Sequence, residues 1–142
     1  MRIQPGRYLI RRVLPVMLVL GAASVHSYTA QAANEQPRIP RGVAMKSWHD
    51  NGRDGRYLLQ LVQGSFPKAG KPVIGTVTSD TDCDADAEGL SHCRNTIKLP
   101  NGSEVTVIDT HEMHRYRCLG AGDQISLNRI SGTWIMGTLS GK

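Results

Sequence analysis

Two histidines and a methionine fall within four residues at His111-Glu112-Met113-His114, and a third histidine sits beside a cysteine at His92-Cys93. Imidazole, thioether and thiolate donors together suit Cu(I) or Zn(II). His92, His111, Met113 and His114 are therefore the candidate ligands of a soft metal ion, with an unpaired cysteine as a further donor. His-x-x-His gains its strongest meaning on a helix that also carries a catalytic Glu, and no such helix is expected around His111. The cysteines Cys83, Cys93 and Cys118 compete for the same role. In an oxidising compartment three cysteines give one disulfide and one free thiol. Cys83–Cys93 would close the base of an acidic loop and is preferred. Cys93–Cys118 would tie together the segments flanking a hairpin and stays open. No Cys-x-x-Cys occurs, so the bond is expected to be structural rather than redox-active.

The stretch Ser79 to Cys93 alternates Asp80, Asp82, Asp84, Asp86 and Glu88 with small residues. An EF-hand calcium loop needs Gly at its sixth position and Glu at its twelfth. Counting from Asp82 places Ala87 and Cys93 there, and counting from Asp80 places Ala85 and Ser91. Neither fits, so the segment is expected to be a solvated acidic loop.

The elements that must position these groups are strands. Tyr57–Gln63, Pro72–Thr78, Arg94–Leu99, Ser103–Asp109, Asp123–Arg129 and Thr133–Leu139 are short, rich in Val, Ile and Thr, and bounded by Gly, Pro, Asn or Asp. No segment after Gly55 keeps a helical period, so the class is all-β. Leu99-Pro100-Asn101-Gly102 has the residue order of a type I turn closed by a glycine bulge. That loop pairs Leu99 with Ser103, sets Lys98 opposite Glu104 and Ile97 opposite Val105, and carried further puts Cys93 opposite Asp109. His111 then stands diagonally beside Cys93 on one face, with His92 opposite Thr110 on the other. Asn101-Gly102-Ser103 is also a glycosylation sequon, which the turn explains without sugar. Closure hides the edges of so many short strands, and from Val73 to Leu139 their order resembles an OB-like barrel. The expected architecture is a five- to six-stranded OB-like barrel over 57–142, with a small open β-sandwich as the alternative. Residues 33–56, rich in Pro, Gly and charge, read as an irregular arm that packs Trp48 onto the barrel.

Ahead of the arm, Arg2, Arg7, Arg11 and Arg12 precede the apolar run Val13 to Ala23, and Ala30-Gln31-Ala32 supplies a cleavage pattern. These are the parts of a secretory signal peptide over 1–32, so export to a periplasmic or extracellular location is expected, with no membrane span after cleavage. Arg11-Arg12 carries only part of a twin-arginine signature. The formal charge of +5 is largely that segment's: beyond residue 32, thirteen Lys and Arg face twelve acids, leaving +1. Those cations are scattered rather than clustered, so no nucleic-acid partner is expected.

The stretch NTIKLPNG…VIDTHE resembles the barrel hairpin of thermonuclease-type nucleases, and that resemblance implies a calcium-dependent nuclease. It departs from that family where the chemistry lies. Cys93-Arg94-Asn95-Thr96 replaces the first carboxylate motif, and Asp109-Thr110-His111-Glu112 lacks its Pro. The leading expectation is a small exported barrel that binds copper or zinc and is not an enzyme. A structural or protein-interaction module of the cell envelope is the alternative, and a divergent nuclease-like enzyme the second.

Overall fold

In a computed structural model, residues 36–68 and 70–141 are described, all within the unit Asn34–Lys142. The expected signal peptide lies outside the described residues. Six strands form: β1 Arg56–Gln63, β2 Val73–Thr81, β3 Ser91–Lys98, β4 Glu104–His111, β5 Gln124–Ser131 and β6 Trp134–Leu139. They close into an antiparallel barrel in the order β1-β4-β3-β2-β5-β6. The architecture is thus an all-β closed barrel, and the open-sandwich alternative falls. Strands β2 to β6 follow an OB-like path. Because β4 and β6 both run antiparallel to β1, they are parallel to each other, and β1 is inserted between them.

The β3–β4 hairpin has the expected register, with Lys98 opposite Glu104, Ile97 opposite Val105 and Cys93 opposite Asp109. The ladder does not stop at Asp109. It continues through His92↔Thr110 to Ser91↔His111, so His111 belongs to a strand, and both strands are longer than their composition indicates. At the turn, Gly102 N–H donates to Leu99 O at 2.9 Å and Leu99 N–H to Ser103 O at 2.8 Å. Asn101 Oδ1 accepts from Ser103 N–H at 3.0 Å, which gives the Asn a turn role. Gly102 has φ 84°, and an added Cβ would meet nothing within 4 Å. Substitution there costs backbone strain alone. Gly102→Val is expected to lower stability by about 1 kcal/mol or more, against a few tenths for Lys98→Ala or Glu104→Ala on the exposed face. Denaturant midpoints compare the three, and equal small losses would contradict the turn.

Inside, side chains facing each other on β3 and β4 change character along the hairpin. Next to the turn Ile97, Leu99, Val105 and Val107 join Leu59, Phe66, Val77, Ile125, Leu127 and Ile135 in an apolar core. Further from the turn the inward positions are Ser91, Cys93, Asn95, Asp109 and His111, all buried. One end of the barrel is therefore oil, and the other is a buried polar chamber.

A second apolar cluster lies on the outer face of β1 and β6. Trp48 and Leu58 pack there with Leu90, Ile39, Val43, Met45, Trp134 and Met136, with the two indoles 5.8 Å apart. Trp48 Nε1 donates to Pro37 O at 2.8 Å, so the indole N–H stays paired as the ring is buried. The arm, helical only in single 3-10 turns at Trp48–Asp50 and Arg53–Gly55, is held by Trp48 as its sequence implies. Among the described residues no helix is long and apolar enough to cross a membrane.

Candidate functional site

The polar chamber is built by a bulge, two strands and a tethered loop. Strand β2 is irregular between Val77 and Ser79, after which Asp80 pairs with Asn95. The extra residue changes the parity of the strand: Val77 faces the core, and so does Asp80 three residues later. Cys83 follows just beyond the strand end and is joined to Cys93 on β3 by a disulfide, with Cα atoms 4.2 Å apart. This is the pairing preferred from the sequence, and Cys93–Cys118 is not formed. Cys118 is the remaining free cysteine and is half-buried. Its segment is tied on both sides, for Tyr57 Oη donates to Arg117 O at 2.7 Å and Asn95 Nδ2 to Leu119 O at 3.4 Å. Arg117 holds Asp123 with two bonds of 2.7 and 3.0 Å.

These elements bring a carboxylate oxygen of Asp80 and the sulfurs of Cys83, Cys93 and Cys118 within 4.8 Å of one another. Tetrahedral zinc with Zn–S bonds of about 2.3 Å sets its sulfurs roughly 3.8 Å apart. The spread therefore needs only local adjustment once the disulfide is open. Asn95, fully buried, donates to Asp80 Oδ1 at 2.9 Å and orients that carboxylate from behind. Burial pushes the Asp80 carboxyl up, against the opposing pull of Asn95 and His111. The Cys118 thiol is pushed up by burial and by the carboxylates of Asp80 and Asp109. A cation in the chamber would favour the charged form of both groups.

His111 and Asp109 sit deeper, both fully buried, with Nδ1 and Oδ2 3.1 Å apart. Burial by itself lowers His111, but Asp109 and the charge of Asp80 outweigh it and raise the imidazole. Burial raises the Asp109 carboxyl as well, against the pull of His111. Neither Nδ1 nor Oδ2 completes a hydrogen bond, so charge holds the two groups at that distance. His111 Nε2 has no hydrogen-bond partner, and Tyr57 meets the ring edge-on at 6.1 Å. Burial and the neighbouring Asp109 push the Tyr57 hydroxyl up to about 12, so it stays a donor.

The four expected ligands are not brought together. His111 points into the barrel. His92, one residue along the ladder and hence on the other face, spends both nitrogens elsewhere: Nδ1 lies 3.0 Å from Thr110 Oγ1 and Nε2 2.9 Å from Asp86 Oδ2. Met113 and His114 are exposed on the loop after β4. Among the described residues, the group of His, Cys, Asp and Glu donors that could share an ion contains none of these histidines. The reason is the period of two of a strand: a ladder carried through His111 sends His92 and His111 to opposite faces.

The expected solvated acidic loop is also corrected, because only part of it is solvated. Asp80 faces the chamber, and the Asp86 side chain is 6% exposed. Asp86 Oδ1 accepts from Glu88 N–H at 2.8 Å and Leu90 N–H at 3.0 Å, while Oδ2 meets His92 and Gln36 Nε2. Burial would push this carboxyl up, but bonds from His92, Leu90, Glu88 and Gln36 prevail and hold it at about 2, below its ordinary 3.8. A depressed carboxyl stabilises the fold above the unfolded value, and that contribution fades as pH falls from 3.8 towards 2. Asp86→Asn is therefore expected to lower the denaturant midpoint at pH 6, with the gap from wild type closing between about pH 4 and 2. A gap that did not change with pH would refute it.

Asp80 and the approach of Cys118 are the parts that sequence reasoning missed. The only signal for Asp80 is its position in a run of acids directly after a strand, which does not reveal a bulge. Compared with known proteins, the chain matches no family model, and no curated protein or solved structure matches it.

Proposed function

We propose that this protein is an exported β-barrel module that binds a soft metal ion, Cu(I) or Zn(II), through Cys83, Cys93, Cys118 and Asp80 when the Cys83–Cys93 bond is open. The observation that carries the reading is the convergence of these four donors within 4.8 Å at the polar end of the barrel. Three thiolates and one carboxylate select a thiophilic ion over calcium or magnesium. His111, buried beside the chamber and charge-coupled to Asp80, is a neighbour of the site rather than a ligand. An external oxidant that takes two electrons from Cys83 and Cys93 closes the disulfide, withdraws two donors and releases the ion. Export is supported by the N-terminal sequence and by the disulfide, which persists in oxidising compartments. The reading assigns no catalytic residue and no nucleic-acid partner.

A second reading, a structural or protein-interaction module of the envelope, is favoured by the closed disulfide. There the bond only staples the acidic loop. Titration with native mass detection separates the two. Reduced protein is expected to take up about one equivalent of Zn(II), and Cys118→Ser or the oxidised protein to take up at least tenfold less at the same free zinc. No stoichiometric zinc on the reduced, folded protein would leave the structural module.

A further inference from the structure

We propose that Cys118 is an exchange thiol, able to attack the Cys83–Cys93 disulfide and carry the staple from the acidic loop to the β4–β5 connection. The basis is geometric. A free cysteine lies within 4.8 Å of both sulfurs of a disulfide, and its backbone is fixed there by side chains from two strands. Tyr57 of β1 binds the carbonyl of Arg117 and Asn95 of β3 that of Leu119, so the residue between them is held near that bond.

The exchange needs no outside oxidant or reductant. Cys118, as thiolate, attacks Cys93 Sγ. The Cys93–Cys118 bond forms as Cys83–Cys93 breaks, and the bonding pair leaves on Cys83, which takes up the proton that Cys118 lost. One disulfide and one thiol exist before and after. Cys83 is the sulfur that leaves because Cys93 is fully buried in a strand paired on both sides, whereas Cys83 lies beyond the end of β2. The released thiol has acceptors at hand, since Cys83 Sγ is 3.2 Å from Asp80 Oδ1 and 3.6 Å from Thr81 O. After exchange the acidic loop keeps its Asp86 bonds, the Ala85↔Ser91 bridge and the Asp82–Arg94 ion pair, but no covalent tie.

This inference does not rest on metal binding, and its test is run in EDTA to keep the two apart. The oxidised full-length mature protein is incubated at pH 8, quenched with acid, alkylated and mapped by peptide mass. Wild type is expected to carry label on Cys83 as well as Cys118, together with a peptide linked through Cys93 and Cys118. Cys118→Ser is expected to lose both the linked peptide and the Cys83 label. Label confined to Cys118 after hours of incubation would overturn the exchange, as would Cys83 label persisting in Cys118→Ser. Either failure would leave zinc binding by the reduced protein as a separate question.

Discussion

Asn51→Ala is expected to destabilise the barrel by about 3 kcal/mol or more, the largest effect of any polar substitution we foresee. Asn51 belongs to the arm, yet it is 1% exposed and bridges two strands. Its Nδ2 donates to Thr110 O at 2.8 Å, Leu58 O at 3.1 Å and Asp109 Oδ1 at 3.2 Å, and its Oδ1 accepts from Leu58 N–H at 2.6 Å. Truncation leaves a buried N–H, two carbonyls and a carboxylate short of a partner, and each such group costs about 1–3 kcal/mol where water cannot replace the bond. Asn51→Asp separates hydrogen bonding from packing. It keeps the shape and the acceptor for Leu58 N–H, but turns every donated bond into a repulsion, including one against Asp109. The aspartate variant is expected to be at least as unstable as the alanine one in denaturant melts. A mild aspartate variant would mean that Asn51 acts by filling space.

The second large effect is steric. Gly75 faces inward on β2, where an added Cβ would stand 2.5 Å from Ile97 Cγ2 and 3.3 Å from both Leu127 Cδ1 and Lys98 O. Ile97 Cγ2 is attached at the branch point of a β-branched side chain, which has little rotamer freedom. Gly75→Ala is therefore expected to cost about 2–3 kcal/mol, as overpacking does in close-packed cores. Gly137 offers an internal comparison. Its added Cβ would also meet an isoleucine at 2.5 Å, but at Ile125 Cδ1, the far end of the side chain. That atom can rotate away, so Gly137→Ala should cost clearly less. Removing the obstacle in a Gly75→Ala, Ile97→Ala double variant should give a loss smaller than the sum of the singles. Additive losses would refute direct contact.

How much of this was legible beforehand can be judged at particular residues. The turn at Leu99–Ser103 determined the register of the hairpin, because a period of two leaves no freedom once one pair is known. Cys93 opposite Asp109 follows from that turn, and so does the separation of His92 from His111. Extending the ladder to His111 required recognising that Thr110 and His111 continue an extended chain, which their polar character disguised. The soft-ligand expectation gathered three residues of one loop and added His92 through the hairpin, whereas the chamber gathers residues from four separate segments. Asp80 enters through a bulge that no residue type announces, and Cys118 through a loop whose course is set by Tyr57 and Asn95. A disulfide between Cys83 and Cys93 could be weighed by spacing. The arrival of a third sulfur beside it depends on barrel closure, which is a long-range fact.

X-ray absorption at the zinc edge of the reduced, zinc-loaded protein tests the ligand set most directly. Three sulfurs at about 2.3 Å and one oxygen at roughly 2.0–2.2 Å are predicted for the site of Cys83, Cys93, Cys118 and Asp80. A shell of nitrogen and oxygen without sulfur would contradict it and return the ion to the histidines.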